Sequence, residues 1–123
     1  MRWTALYAGL LAFIYIALAF RVIGLRRGRR IGIGDGGDRE LARAIRVHAN
    51  FAENAPLALL LIGMLELNGG PLALVHACGA ALLVGRIGHA YGLSRSIGSS
   101  LGRVGGMVLT YLAMMAAGGY GLV

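Results

Sequence analysis

Four apolar segments dominate this chain, and each is long enough to cross a membrane as a helix. They cover residues 3–25, 39–67, 72–93 and 103–122, and about 20 apolar residues in a helix span the hydrocarbon core of a bilayer. Hydrophobic residues make up 58% of the 123 residues and charged residues only 14%, a balance far from that of a soluble protein. We therefore predict a single all-α domain, an integral membrane bundle of four antiparallel helices.

The segments between these helices are short and contain turn-forming residues. Residues 26–38, RRGRRIGIGDGGD, combine glycines with charges and predict a loop. The sequence Asn68-Gly69-Gly70-Pro71 predicts a tight turn, which makes the third helix antiparallel to the second. Residues 94–102 predict the last loop. Although Ala17-Leu18-Ala19 resembles a signal-peptide cleavage site, we interpret the first segment as a retained membrane span.

All twelve basic residues are arginine, and their positions predict an orientation. The arginines of the two charged loops and their flanks are Arg26, Arg27, Arg29, Arg30, Arg86, Arg95 and Arg103. Because positively charged loops stay in the cytoplasm, we predict that loops 26–38 and 94–102 are cytoplasmic and that both termini face outward. Arg2 is a minor contrary indication. The arginines cluster beside apolar segments and membrane lipid, so we expect no nucleic-acid partner.

The sequence indicates no metal or disulfide site. The single cysteine, Cys78, cannot form an internal disulfide, and neither a CxxC motif nor paired histidines at metal-ligand spacing occur. We interpret Cys78, His48 and His76 as packing or helix-interface groups, because two scattered histidines do not establish haem ligation.

The second helix begins with a polar stripe. At about 100° per residue, five polar side chains fall within an arc of roughly 80°, and these are Arg39, Arg43, Arg46, Asn50 and Glu53. Beyond Pro56 we expect the helix to be apolar on all sides. An ionisable group at membrane depth costs on the order of 2.5–3.5 kcal/mol, so Arg46 and Glu53 should face a protein interior or a water-filled cavity.

Two interpretations of this stripe are open. The third helix offers Arg86 and His89, three residues apart on one face, and Arg103 opens the fourth helix. Together with the stripe they would line a cavity for a small, multiply charged, mainly anionic molecule. Alternatively, Glu53 is neutralised by Arg46 or Arg86 in a structural ion pair, and the outer arginines extend to lipid headgroups.

Recurring glycines predict close helix packing. They lie in two groups, Gly85, Gly88 and Gly92 in the third helix and Gly102, Gly105 and Gly106 at the start of the fourth. Small residues at such spacings let membrane helices approach closely.

Two segments of the chain carry motifs with a distinctive spacing. Residues 43–57, RAIRVHANFAENAPL, contain an Arg-x-x-x-Asn-x-x-Glu core and a following proline, and residues 85–92 read GRIGHAYG. The first segment resembles the second-helix signature, and the second segment is similar to the third-helix segment, of the membrane-associated proteins in eicosanoid and glutathione metabolism, the MAPEG family. Together with the four-helix pattern, the resemblance covers nearly the whole chain. It points to a bacterial member in the inner membrane.

The resemblance implies a homotrimer that binds glutathione as co-substrate between neighbouring protomers, in a site open to the cytoplasm. Arg46, Asn50 and Glu53 would hold its peptide part, with Glu53 taking the amino group, while Arg86 and His89 would contact it from the adjoining protomer. The full set of implied glutathione-binding residues is Arg43, Arg46, Asn50, Glu53, Arg86, His89 and Tyr91.

Arg103 is the nearest match, after a shift of register, to an arginine that activates the thiol in some family members. A thiolate is the nucleophile, and an arginine in a dry site favours that charged form. The protein would supply orientation and electrostatics, while an apolar co-substrate enters from the lipid.

Two departures bear on activity. Several family enzymes have a tyrosine directly after the motif glutamate, where this chain has Asn54, and His89 stands where some relatives have a tyrosine.

Three candidate functions therefore stay open. The first is a membrane-bound glutathione transferase or peroxidase-like protein acting on a lipophilic electrophile, and the second is a non-catalytic subunit of a larger membrane complex. The third is a small multidrug exporter, which is expected to carry a glutamate in its first span; here that span has no acid.

Overall fold

The predicted all-α fold of four helices is confirmed. A computed structural model describes residues 2–95 and 101–122, and every regular element in these ranges is an α-helix. The four helices are α1 (Arg2–Arg29), α2 (Arg39–Leu67), α3 (Leu72–Arg95) and α4 (Leu101–Leu122). The middle of the third loop, residues 96–100, lies outside the described residues.

The bounds of α2 are those expected, whereas the other helices are longer. The predicted loop 26–38 is wrong at its start, because α1 continues through Arg26 and Arg27 to Arg29. Arginines in a last turn interact favourably with the negative end of the helix dipole and are good helix formers. In the same way α3 extends to Arg95 and α4 begins at Leu101, which shortens the predicted loop 94–102.

The helices form an antiparallel bundle whose two ends differ. At one end, the turn end, the tight turn 68–71 joins α2 to α3, and the beginning of α1 and the end of α4 lie there as well. At the other end, the loop end, residues 30–38 join α1 to α2. The core between them is a cluster of apolar side chains from all four helices, including Leu11, Phe51, Ile62, Val75, Leu82 and Ala113.

Glu66 fastens α1 to the end of α2. Its carboxylate accepts hydrogen bonds from the backbone N–H groups of Trp3 and Thr4 at 2.9 and 2.8 Å and from the Thr4 hydroxyl at 2.7 Å. Free N–H groups at a helix start require such acceptors. The expectation that α2 is apolar on all sides beyond Pro56 is therefore wrong at Glu66. The charged side chain of Glu66 caps the start of α1.

Replacing Glu66 by alanine should lower the melting temperature of the purified protein, because the first N–H groups of α1 would lose their acceptor. Glu66→Gln, which keeps one acceptor oxygen, should lower it less. Circular dichroism melts of both variants in the same detergent would test this order, and an unchanged melting temperature for Glu66→Ala would contradict the capping role.

His76 packs beside this contact, as expected for an interface group. The Tyr7 hydroxyl lies 2.9 Å from its Nδ1, and the Trp3 ring centroid lies 4.6 Å from its own. These contacts join α1 to α3. His48 of α2 packs against Tyr15 of α1 with ring centroids 4.9 Å apart.

Glycines bring α3 and α4 together, which confirms the close packing expected from their spacing. A Cβ on Gly106 would lie only 2.6 Å from the backbone nitrogen of His89, and one on Gly85 would lie 2.8 Å from the Gly106 carbonyl oxygen. The absence of side chains at these positions therefore sets the distance between the two helices. It also brings the polar residues of α3 close to α4.

Three helices are long and apolar enough to cross a membrane by length and composition: α1, residues 72–92 of α3 and residues 102–122 of α4. The second helix is not in this group, because its polar stripe and Glu66 lower its hydropathy. Its crossing of the bilayer stays a prediction. It is favoured by the bundle, in which α2 packs against all three other helices.

The orientation of the bundle is also a prediction, and cysteine labelling tests it. Asp35 in the loop and Asn68 in the turn are both exposed, and Cys78 is buried. In intact cells, a membrane-impermeant thiol reagent should label Asn68→Cys, and it should label Asp35→Cys only after the inner membrane is opened. The reverse pattern would invert the orientation.

Candidate functional site

Arg86 is the centre of a polar cluster inside the loop half of the bundle. Its side chain is 1% exposed. Its Nη2 donates a hydrogen bond to Asn50 Oδ1 of α2 and lies 3.4 Å from His89 Nδ1, while Nη1 lies 3.5 Å from Thr110 Oγ1 of α4. The guanidinium carbon lies 5.8 Å from the centroid of the Phe51 ring. Three helices thus meet at this side chain.

No carboxylate compensates Arg86 among the described residues. The ion pairs there join Arg29 to two acids of the loop end and Arg46 to Glu53. The Nε of Arg86 is buried and has no hydrogen-bond partner in the same residues. Burying a charge without an ionic partner costs several kcal/mol, so the fold retains a costly positive charge at this point.

His89 is 2% exposed. Three arginines, Arg86, Arg103 and Arg46, lie close enough for their charges to reach its ring. Residues from α2, α3 and the beginning of α4 that the sequence placed in one site therefore do lie near each other. Together they make a strongly positive region.

The polar stripe of α2 divides between two directions. Asn50 lies towards the interior and meets Arg86, whereas Arg46 and Glu53 lie on the outer surface with side chains 56% and 61% exposed. The Arg46 Nη2 and Glu53 Oε1 atoms are 3.6 Å apart. The structural ion pair between these two residues is therefore present, but an exposed pair of this kind contributes only about 0–1 kcal/mol.

The remaining predicted site residues lie at the edges of this region. Arg43 and Arg103 are half-buried, whereas Arg39, a stripe residue outside the implied glutathione-binding set, is exposed at the start of α2. Tyr91 is 63% exposed on α3. Arg86 and His89 are enclosed within their own chain, so contact with a ligand held by an adjoining protomer stays a prediction.

Several residues of the cluster were missed by sequence reasoning. Thr110 is fully buried, donates a hydrogen bond to the Gly106 carbonyl at 2.8 Å and faces Arg86 together with Met107. A lone threonine in the apolar centre of α4 could have indicated a buried polar contact from the sequence. Asn54 donates to the backbone carbonyl of Asn50 at 2.9 Å, a contact that its position four residues later on the same helix face would have indicated.

This arrangement has a definite chemical preference. The arginines favour carboxylate groups, and Asn50, held by Arg86, offers amide hydrogen bonds in a fixed orientation. The exposed carboxylate of Glu53 favours an ammonium group beside them. A small molecule that carries both carboxylates and an amine fits this combination better than a simple anion.

Comparisons with known proteins agree with the fold. The chain matches the MAPEG family over residues 4–123. It is similar to the inner membrane protein YecN of Escherichia coli strain K12, with 40% identity over 112 residues that cover 91% of this chain and 84% of the relative. YecN of E. coli strain CFT073 gives the same identity and coverage. No solved structure gives a significant match. The chain therefore belongs to the MAPEG family of membrane proteins.

Proposed function

We propose that this protein is a membrane-bound glutathione transferase or peroxidase-like enzyme that acts on a lipophilic electrophile. The observation that carries this proposal is the buried charge of Arg86, which has no carboxylate partner among residues 2–95 and 101–122 and which holds Asn50 beside the exposed pair of Arg46 and Glu53. A fold that retains such a charge has a use for it beyond stability, and binding of an anion is the simplest use.

Glutathione matches these residues group by group. Its two carboxylates suit the arginines of α2, in particular Arg43 and Arg46, and its amino group suits Glu53. The amide of Asn50 suits its peptide groups. The names of the similar proteins specify no ligand or reaction, so this assignment rests on the chemistry of the side chains.

A homotrimer would complete the site. In a single chain, Arg46 and Glu53 are exposed. Only 6% of the residues in the membrane-spanning stretch of α1 are buried. Charged groups at membrane depth are placed against protein or water instead of lipid. A neighbouring protomer that covers the stripe would supply that protein surface and would enclose glutathione between the two chains.

The reaction needs no nucleophilic side chain. The glutathione thiol gives its proton to water, and the resulting thiolate attacks the electrophilic atom of the co-substrate, forming a thioether bond as the leaving group departs with its electron pair. With a lipid hydroperoxide, two glutathione molecules would instead give the disulfide, an alcohol and water. The positive charges of Arg103 and its neighbours would favour the thiolate.

One observation favours a second candidate, a non-catalytic subunit of a membrane complex. The Asn54 side chain, at the position where several family enzymes have a tyrosine, donates its hydrogen bond to the backbone of its own helix. It therefore has less capacity to hydrogen-bond a ligand than a free tyrosine hydroxyl would have. A subunit that has kept the fold but lost the reaction would show this pattern.

Titration calorimetry of the detergent-purified protein with glutathione separates these candidates. We expect binding, an increase in thiolate ultraviolet absorbance on binding, and a native mass of three chains. S-methylglutathione, which keeps every recognition group, should bind without the absorbance change. Binding without thiolate formation or turnover of a lipophilic electrophile would favour the non-catalytic subunit, and absence of binding would contradict the glutathione site.

A further inference from the structure

The loop end carries a basic surface that the proposed function does not use. This surface, the basic rim, consists of the exposed arginines Arg27, Arg30 and Arg39. None of them forms an ion pair with any other described residue. Of the nearby acids, Asp38 and Glu40 pair with Arg29, and the single remaining acid, the exposed Asp35, is outnumbered by the three arginines. The rim therefore presents positive charge to its surroundings.

The loop beside the basic rim has a fixed shape. Arg26 Nη1 donates hydrogen bonds to the carbonyl oxygens of Ile31 and Gly34 at 3.3 and 2.8 Å. Asp35 Oδ1 accepts the Gly37 N–H at 2.9 Å. Held in this way, the loop presents Ile33 with 94% of its surface exposed. A large aliphatic side chain so exposed in a charged loop is unfavourable in water.

The length of α1 places this loop at the membrane surface. The helix has 28 residues, so it is about 42 Å long at 1.5 Å per residue, whereas the hydrocarbon core is about 30 Å thick. The last turn of α1 therefore reaches the lipid headgroups. Arg29, through Asp38 and Glu40, holds the start of α2 at the same level.

We propose that the basic rim binds the headgroups of anionic phospholipids and that Ile33 inserts into the membrane interface beside them. Guanidinium groups form paired hydrogen bonds with phosphate oxygens, and an anionic surface complements the charge of the rim. An apolar side chain flanked by arginines suits the boundary between headgroups and acyl chains. Each arginine near an anionic surface should increase binding about fivefold.

Native mass spectrometry of the full-length protein in a neutral detergent tests the headgroup contact. The protein is titrated with phosphatidylglycerol and with phosphatidylcholine of the same acyl chains. We expect preferential retention of phosphatidylglycerol, and we expect the triple variant Arg27→Gln, Arg30→Gln, Arg39→Gln to lose at least tenfold of that preference. The corresponding triple lysine variant, which keeps the charges, should retain most of it.

Arg2→Gln is the matched control, because Arg2 is an exposed arginine at the turn end. It should leave the preference unchanged. Three results would overturn the proposal: full preference in the triple glutamine variant, an equal loss in Arg2→Gln, or displacement of the lipid by glycerol phosphate at the same concentration. The last result would identify a site for soluble phosphates.

A fluorescent label tests the insertion of Ile33. An environment-sensitive dye on Ile33→Cys should shift to shorter wavelength when the protein enters phosphatidylglycerol bilayers, and brominated lipids should quench it. The same dye on Asp35→Cys, two residues away and exposed in the same loop, should remain in water. Cys78 is buried and should not react. Equal quenching at both positions, or at neither, would contradict the insertion.

Discussion

Glu53→Gln should weaken glutathione binding by about 1–3 kcal/mol and leave the thermal stability of the protein nearly unchanged. The substitution keeps the shape of the side chain but removes the charge that would bind the glutathione amino group. The only ion pair it breaks within the described chain joins Glu53 to Arg46, and both side chains are more than half exposed. In a site that is open to water, such a pair contributes about 0–1 kcal/mol. Calorimetry and thermal melts of the same preparation measure both effects.

Glu40→Gln is the matched control, since it is the same chemical change on the same helix. Glu40 is also exposed and is also paired with an arginine, Arg29. Its replacement should change neither glutathione affinity nor melting temperature appreciably. If Glu53→Gln instead lowers the melting temperature strongly and leaves affinity unchanged, the structural ion-pair interpretation is correct and Glu53 is not a ligand-binding residue.

The architecture was predictable because lipid constrains it so strongly. A membrane span must satisfy its backbone internally, so four apolar segments in 123 residues leave little but a helical bundle. The ends were harder to predict. Arginines such as Arg26 and Arg29 indicate a loop by their charge and a helix end by their propensity, and the second effect determined the bounds of α1.

The division of the polar stripe was not predictable from helical periodicity. An arc of roughly 80° groups Arg46, Asn50 and Glu53 on one face, yet Asn50 meets Arg86 in the interior while the other two are exposed. The difference depends on how closely the neighbouring helices approach each position, and helical periodicity gives no information on that. For the same reason Glu66 could not be matched with Thr4, more than sixty residues away, from the sequence alone.

Arg86→Met should reduce glutathione affinity by about 3 kcal/mol, roughly a hundredfold, without reducing thermal stability. Methionine has a similar length and no charge, so Asn50 would lose the partner that orients it and the site would lose its innermost cation. Replacing buried charges by apolar side chains of similar volume is often neutral or stabilising by about 1–4 kcal/mol. The neighbouring groups keep other partners, because Thr110 still donates to Gly106 and Asn50 still meets Asn54.

Arg86→Lys separates the charge of this side chain from its geometry. Lysine keeps a positive charge but cannot make the same set of directed contacts to Asn50 and Thr110, so its glutathione affinity should fall between those of the unchanged protein and Arg86→Met. The decisive measurement is the pair of binding constant and melting temperature for each variant. Loss of folding in both variants would identify Arg86 as a structural residue, and unchanged affinity in Arg86→Met would remove it from the site. The predicted combination, weaker binding with equal or higher stability, would show that the fold retains this buried charge for its ligand.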